Sequence, residues 1–170
     1  MTDILVEREF MMRFMASLCA AAVVVAAPQP SFAACWTASE VAAARVRDFD
    51  TMLMVSALRC RHGDSKMLSK YNAMVKRSRA ALVVGNTRLR ARFASQGGQN
   101  AFDRYVTRVA NRYGAGVDGL DCLSIASIAD SALAAPATFA ALDRLAMESA
   151  VDPLIEGQRC EPVLVFASIY

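Results

Sequence analysis

The chain has 170 residues, 55% of them apolar and 21% charged, with a formal net charge of +3 at pH 7. A chain of this length is expected to form one domain with a core of its own, without relying on a metal or on unusual cross-links. The small net charge excludes a uniformly basic or acidic protein, so a charged surface would have to arise from the way charges are distributed along the chain.

An apolar run over residues 15–27 accounts for much of the apolar content. It is shorter than the roughly 20 residues that span a membrane, and the small residues Ser31 and Ala33 occupy the two positions that signal peptidase recognises. We therefore predict a signal peptide over residues 1–33, cleaved after Ala33. The domain then comprises residues 34–170, is periplasmic or secreted, and has no transmembrane segment in the mature chain.

Two alternatives remain open in this segment. Acidic residues among the first ten do not fit the positively charged start of a signal peptide, which favours Met11 or Met12 as the translation start. In addition, Phe32-Ala-Ala-Cys35 resembles a bacterial lipobox, so a lipoprotein anchored at Cys35 is a minor alternative. Phe in place of the usual Leu and a long proline-containing spacer count against it.

The next element is a helix predicted from about Ser39 to Cys60. Within it, Phe49-Asp-Thr-Met-Leu-Met-Val-Ser-Ala-Leu58 is apolar nearly all round. Such a helix must be enclosed by others, which makes it the central helix of a bundle. Thr37-Ala-Ser-Glu40 matches a capping box at its start.

Two further helices are expected after the turn His62-Gly-Asp-Ser65, in which Asp64 or Ser65 is the candidate N-cap. Apolar residues recur at helical spacing to about Ser95, which predicts one long helix, with a break at Gly85 as the alternative. The third helix is predicted from Gln99 to Tyr113 and places Arg104, Arg108 and Arg112 along one face at i, i+4 and i+8.

The rest of the chain predicts two shorter helices. Asp121 can cap a helix over residues 122–134, and Thr138 precedes a last helix over residues 139–151. The tail from Pro162 is expected to dock as an extended segment or as a final helical turn. The fold class predicted is all-α, a single-domain antiparallel bundle of about five helices with two disulfides.

The cysteines support this arrangement. Removal of Cys19 with the signal leaves Cys35, Cys60, Cys122 and Cys160, an even set that is typical of an oxidising compartment. Because Cys35 and Cys60 flank one helix, they lie roughly 37 Å apart at 1.5 Å per residue and cannot pair. The up-down order of short-connected helices favours Cys60–Cys122 with Cys35–Cys160. Cys35–Cys122 with Cys60–Cys160 remains the alternative.

Charge is segregated along the chain. Residues 59–112 contain thirteen Lys and Arg against two Asp, a net charge of +11, whereas residues 114–170 contain two Arg against eight acids, a net charge of −6. The basic helices could simply pair with the acidic ones. They could also offer a basic face to an anionic envelope component or protein. The residues predicted for such a face are Arg104, Arg108, Arg112, Arg88 and Arg92.

No catalytic, cofactor or metal site is indicated by the sequence. The loop Gly114-Ala-Gly-Val-Asp-Gly119 matches the letters of a dinucleotide motif, but it follows an amphipathic helix rather than a buried strand. His62 is the only histidine, and its neighbours on one short turn cannot form a catalytic relay. The prediction is therefore no cofactor and no metal. Aromatic residues rarely interleave the basic stretch, so a nucleic-acid partner is not expected either.

One enzymatic alternative stays open, a small envelope glycan hydrolase that uses two carboxylates. Its candidate acids are Glu40, Asp48, Glu148 and Glu156, although no spacing singles them out. The preferred prediction is an exported binding or interaction module rather than an enzyme.

A family resemblance supports the same fold and compartment. Cys35-Trp36, the Arg-Asp-Phe-Asp-Thr-Met-Leu-Met-Val-x-Ala-Leu-Arg-Cys run that ends at Cys60, and Tyr71-Asn72 resemble small exported helical four-cysteine proteins of Gram-negative bacteria. The resemblance covers most of residues 35–122. It implies a helical fold and export, and it implies no activity and no functional residue.

Overall fold

The computed structural model describes residues 35–62, 66–116 and 120–160. Several predictions lie outside these residues: the signal peptide and its cleavage site, the lipobox spacer, the N-cap at Asp64 or Ser65, and the tail from Pro162. The described part contains six α-helices: α1 (Ala38–Arg59), α2 (Met67–Arg77), α3 (Arg79–Ala94), α4 (Gly98–Gly114), α5 (Cys122–Ala134) and α6 (Phe139–Glu148). The all-α fold class is confirmed.

Helix α1 is the central helix, as predicted. Its start is fixed by a capping box in which the Thr37 side chain accepts from the Glu40 backbone N–H and the Glu40 carboxylate accepts from the Thr37 N–H. Each of the other five helices packs against it. Phe49, Met52 and Leu53 are fully buried as a result, which explains the lack of a polar face.

The predicted long second helix is wrong, because the chain bends at Ser78 and forms α2 and α3 instead. Backbone hydrogen bonds still continue across the bend, from Ser78 N to Met74 O and from Leu82 N to Ser78 O. The two halves have different partners: α2 packs mainly on α5, whereas α3 packs mainly on α1. We attribute the bend to these partners, since one straight helix could not follow both.

The alternative break at Gly85 is wrong as well, because this residue lies inside α3. A Cβ atom placed on Gly85 would lie 3.4 Å from the Phe139 ring and 3.8 Å from Val46 Cγ1. These are ordinary van der Waals distances, so Gly85 lies in a packed position between α1 and α6 and does not mark a helix end.

Side-chain caps begin the last two helices, and the cap at Asp121 is the one that the sequence predicted. The Asp121 carboxylate accepts from Ser124 N at 2.8 Å, and the Thr138 hydroxyl accepts from Ala141 N at 3.2 Å. These backbone hydrogen bonds lower the pKa of Asp121. Helix α6 ends at Glu148, slightly before the expected end.

Both disulfides have the predicted pairing. Cys35 and Cys160 are joined with a Cα–Cα distance of 5.0 Å, and Cys60 and Cys122 with a Cα–Cα distance of 5.6 Å. The second bridge joins the end of α1 to the start of α5, as the up-down helix order requires. The first bridge brings the two ends of the described chain together.

Candidate functional site

The predicted arginine row on α4 faces the segment that follows α6, which we call the C-terminal strap (residues 151–160). Arg108 forms an ion pair with Glu156. Arg112 donates from Nη1 to the backbone oxygen of Asp152 at 2.7 Å. Arg104 is exposed, and among the described residues it has no hydrogen bond or ion pair. Two of the three arginines thus hold the strap in place.

The other two predicted residues lie elsewhere. The Arg88 guanidinium stacks over the Phe139 ring of α6, 4.5 Å from its centroid. Arg92 is only 7% exposed, stacks over Trp36 at 4.8 Å and donates to the backbone oxygen of Cys35 at 2.9 Å. The five arginines therefore do not form one surface, and Arg92 points into the fold because its guanidinium packs on Trp36.

Hydrogen bonds to Trp36 hold the end of the C-terminal strap against the bundle. Trp36 donates from its backbone N–H to Gln158 O and from Nε1 to Glu156 O, and its carbonyl accepts from Cys160 N. An indole that donates from a buried position satisfies its one polar atom while its ring stays in the core. Together with the disulfide to Cys35, these bonds explain why an extended segment packs stably against helices.

The most enclosed polar group of the domain is the Asp48 carboxyl, which has no solvent exposure. Tyr105 Oη donates to its Oδ1 at 2.7 Å, and Leu154 N of the strap donates to its Oδ2 at 2.9 Å. Arg112 Nη1 lies 3.8 Å from Oδ2. Burial raises the pKa of Asp48 to about 6, although the hydrogen bonds and Arg112 act in the opposite direction. Asp48 therefore joins α1, α4 and the strap.

A second buried carboxyl lies nearby on α1. Asp50 accepts from Tyr71 Oη at 3.2 Å and pairs with Arg47 Nη1 at 3.3 Å. Burial raises the pKa of Asp50, and the pKa of Tyr71 is also raised, first by burial and then by the neighbouring carboxylate. The ion pair with Arg47 lies within α1, and the hydrogen bond from Tyr71 gives Asp50 a structural role between α1 and α2.

The carboxylates of the hydrolase alternative have these positions in the structure. Glu40 belongs to the capping box, Asp48 has both oxygens engaged in the core, Glu156 pairs with Arg108, and Glu148 is exposed at the end of α6. Each of the five pockets described is lined by one acidic residue. None of these pockets presents the pair of carboxylates that such a mechanism uses.

Two of these pockets border a disulfide bridge or the C-terminal strap. One, of about 400 Å³, lies beside the Cys60–Cys122 bridge and includes Arg59. The other, of about 360 Å³, lies between α4 and the strap and is lined by Arg104 and Arg108. In the second pocket Glu156 offsets the charge of Arg108, so the Arg104 guanidinium is the one that remains for an anion. Within the described ranges, no group of His, Cys, Asp or Glu is placed to hold a metal ion.

A surface that the sequence analysis did not single out lies on α3. Val83 and Val84 are 54% and 39% exposed and point away from the core, while Leu89 and Phe93 of the same helix are buried. The neighbouring exposed side chains are small or cationic. We call this surface the α3 outer face; its exposed residues are Arg79, Ala80, Val83, Val84, Thr87, Arg88, Arg90, Ala91 and Ala94.

The signal for this face was present in the sequence. Residues 66–102 contain eight Lys and Arg and no Asp or Glu. Some exposed cations elsewhere in the described chain have an acid or a carbonyl oxygen nearby, such as Arg159 with Asp152 at 2.7 Å and Arg112 with the Asp152 backbone oxygen. On the α3 outer face, Arg79 has no hydrogen bond or ion pair to any described residue.

Comparison of the chain with protein-family models, curated proteins and solved structures found no match. Among the described helices, none is both long enough and apolar enough to cross a membrane.

Proposed function

We propose that this protein is an exported, disulfide-clasped helical module that binds an anionic partner in the cell envelope. The observation that carries the proposal is the α3 outer face, where exposed arginines border a strip of small and apolar side chains and no acidic residue lies on the same helix. A surface of one charge sign attracts partners of the opposite sign and speeds their association. The rigid bundle below it holds these cations in a fixed arrangement.

The distribution of ion pairs supports the choice of this face over the α4 row. Arg108 and Arg112 are engaged by the strap, and Arg92 is engaged by Trp36. Among the described residues, Arg79 has no such contact and Arg88 makes only a ring contact, which leaves its guanidinium N–H groups available. Arg104 is unpaired within the described ranges as well, but both of its neighbours in the α4 row are engaged by the strap. The proposed binding residues are therefore Arg79 and Arg88, which lie at opposite edges of the exposed face. Arg90 lies near the Arg79 edge and donates to Gln99 Oε1.

Export is supported by the two disulfides, since such bridges persist in oxidising compartments. The resemblance to exported four-cysteine proteins agrees with it, and we propose membership of that family on the same grounds. Intact-mass measurement of periplasmic or secreted protein tests export directly. The expected mass begins after Ala33; a mass that retains residues 11–33, or that carries a lipid on Cys35, would contradict the proposed processing.

Binding is tested with two variants of equal charge. Arg79→Gln/Arg88→Gln removes two cations from the α3 outer face, and Arg104→Gln/Arg108→Gln removes two from α4. Immobilised dextran sulfate serves as a generic anionic partner at low salt and at about 0.15 M salt. We expect the α3 variant to lose affinity and salt dependence, and the α4 variant to behave like the wild type. Equal losses in both variants would show that only net charge matters and would overturn the proposed surface.

A further inference from the structure

The α3 outer face combines cations with exposed apolar side chains in a regular pattern. Arg79 lies one turn before Val83, and Arg88 lies one turn after Val84, so each valine has an arginine at i±4 on its own side of the helix. The Arg90 guanidinium is stacked over the Phe102 ring of α4, 4.5 Å from the centroid, and lies at the same edge as Arg79, opposite Arg88. The valines therefore lie between two cationic edges.

We propose that this face docks on the surface of an anionic lipid bilayer, with the arginines at the headgroup phosphates and Val83 and Val84 in the interface. The inference rests on the proposed function, because it names the partner of the same surface. Helices that lie on a membrane combine an apolar strip with Lys or Arg at its borders in this way. Long arginine side chains can reach the phosphates while their stems stay beside the apolar strip.

The valines distinguish a bilayer from a soluble polyanion. A polysaccharide or an acidic protein could satisfy the arginines, but a polyanion in water gains nothing from two half-exposed valines. A bilayer surface supplies phosphates and an apolar layer within a few ångströms of each other. The residues beside the valines, Ala80, Thr87 and Ala91, are small and exposed, so no bulky side chain holds the helix away from the lipid.

Vesicle binding tests the inference. We compare vesicles of phosphatidylglycerol and phosphatidylcholine in equal parts with vesicles of phosphatidylcholine alone, and with dextran sulfate. Val83→Thr/Val84→Thr keeps the shape and the charge of the helix but removes the apolar strip. This variant should bind anionic vesicles on the order of tenfold more weakly than the wild type, and dextran sulfate equally well. Arg79→Gln/Arg88→Gln should lose roughly 25-fold on anionic vesicles, since each cation near such a surface contributes about fivefold.

Each result decides one of the two proposals. Unchanged vesicle binding by the valine variant, or equal binding of the wild type to both vesicle types, would overturn the lipid inference. The proposed function would still stand if the arginine variant lost affinity for dextran sulfate. Wild-type binding of the arginine variant to every probe would overturn both. Circular dichroism melts of the variants verify that each one is folded, which is expected because all four side chains are exposed.

Discussion

Replacing Asp48 with Asn should change how the stability of this protein depends on pH. Burial raises the pKa of Asp48 from 3.8 to about 6, so the folded protein holds a proton on this carboxyl that the unfolded chain releases near pH 4. The neutral carboxyl fits its site. If Oδ1 carries the proton it can donate to Tyr105 Oη, which in turn donates to Ala44 O, 3.3 Å away. The side-chain amide introduced by Asp48→Asn can donate in the same direction and still accept from Leu154 N.

The size of the expected change in the free energy of unfolding follows from the shift in the pKa of Asp48. Each pKa unit corresponds to about 1.4 kcal/mol, so a shift from 3.8 to about 6 amounts to about 3 kcal/mol. This contribution is fully present below about pH 4 and is lost as the pH rises through about 6. Relative to Asp48→Asn, the wild type should lose about 2 kcal/mol of its free energy of unfolding between about pH 4 and about pH 7.

Urea unfolding of both proteins at several pH values, with the disulfides intact, measures this difference. Tyr105→Phe serves as a second variant. It removes a hydrogen bond that lowers the pKa of Asp48, so the loss of stability should move to higher pH. A pH-independent difference between the wild type and Asp48→Asn would refute the reasoning. A difference that favours the wild type as the pH rises would refute it as well, because it would mean that Arg112 and Leu154 stabilise the carboxylate.

Three further predictions concern stability. Arg92→Lys should lower the free energy of unfolding, measured by urea titration, by roughly 1–3 kcal/mol, because lysine lacks the planar group that covers Trp36. Unchanged stability would mean that only the positive charge at this position matters. Replacing Cys35 and Cys160 with Ala should lower the free energy of unfolding by about 5 kcal/mol, on the loop-entropy model for a separation of 125 residues. Unfolding curves measure this loss, and a loss below about 1 kcal/mol would mean that the strap is held without the bridge. Ser78→Ala should raise the free energy of unfolding, measured by thermal melts, by about 1 kcal/mol, because the buried Ser78 hydroxyl has no hydrogen-bond partner among the described residues. A loss of stability would indicate that the hydroxyl maintains the bend.

Features with local determinants were predictable from the sequence. The capping box at Thr37 and the cap at Asp121 depend on residues within one helical turn, and both are in place. The disulfide pairing was predictable because helix order and chain length decide which cysteines can meet. The favoured pairing assumed only that short connections join antiparallel neighbours.

The bend at Ser78 could not be predicted in this way. Neither the spacing of apolar residues nor the backbone hydrogen bonds are interrupted there, since Ser78 N still bonds to Met74 O. What differs is the partner of each half, and partners are set by tertiary packing. A break at Gly85 was the alternative because glycine often ends helices, whereas here the residue is buried inside α3 beside Phe139.

The partners of the arginines predicted for the basic face could not be predicted for a related reason. Helical spacing predicts on which face of its own helix an arginine lies, but it does not predict which other segment packs against that face. Arg92 meets Trp36 from the start of the described chain, and Arg108 and Arg112 meet the C-terminal strap. The strap itself has no helical period, so the sequence located only its end, through the predicted bridge from Cys160 to Cys35, and not its contacts with α4.

The most direct test of the central claim, that the α3 outer face contacts an anionic surface, is hydrogen–deuterium exchange with and without anionic vesicles. The account predicts slower exchange in peptides covering residues 79–94 when vesicles are added. Peptides from α4 around residues 104–112 and from α6 should exchange at their original rates. Slower exchange centred on residues 104–112, or no change anywhere in α3, would contradict the claim.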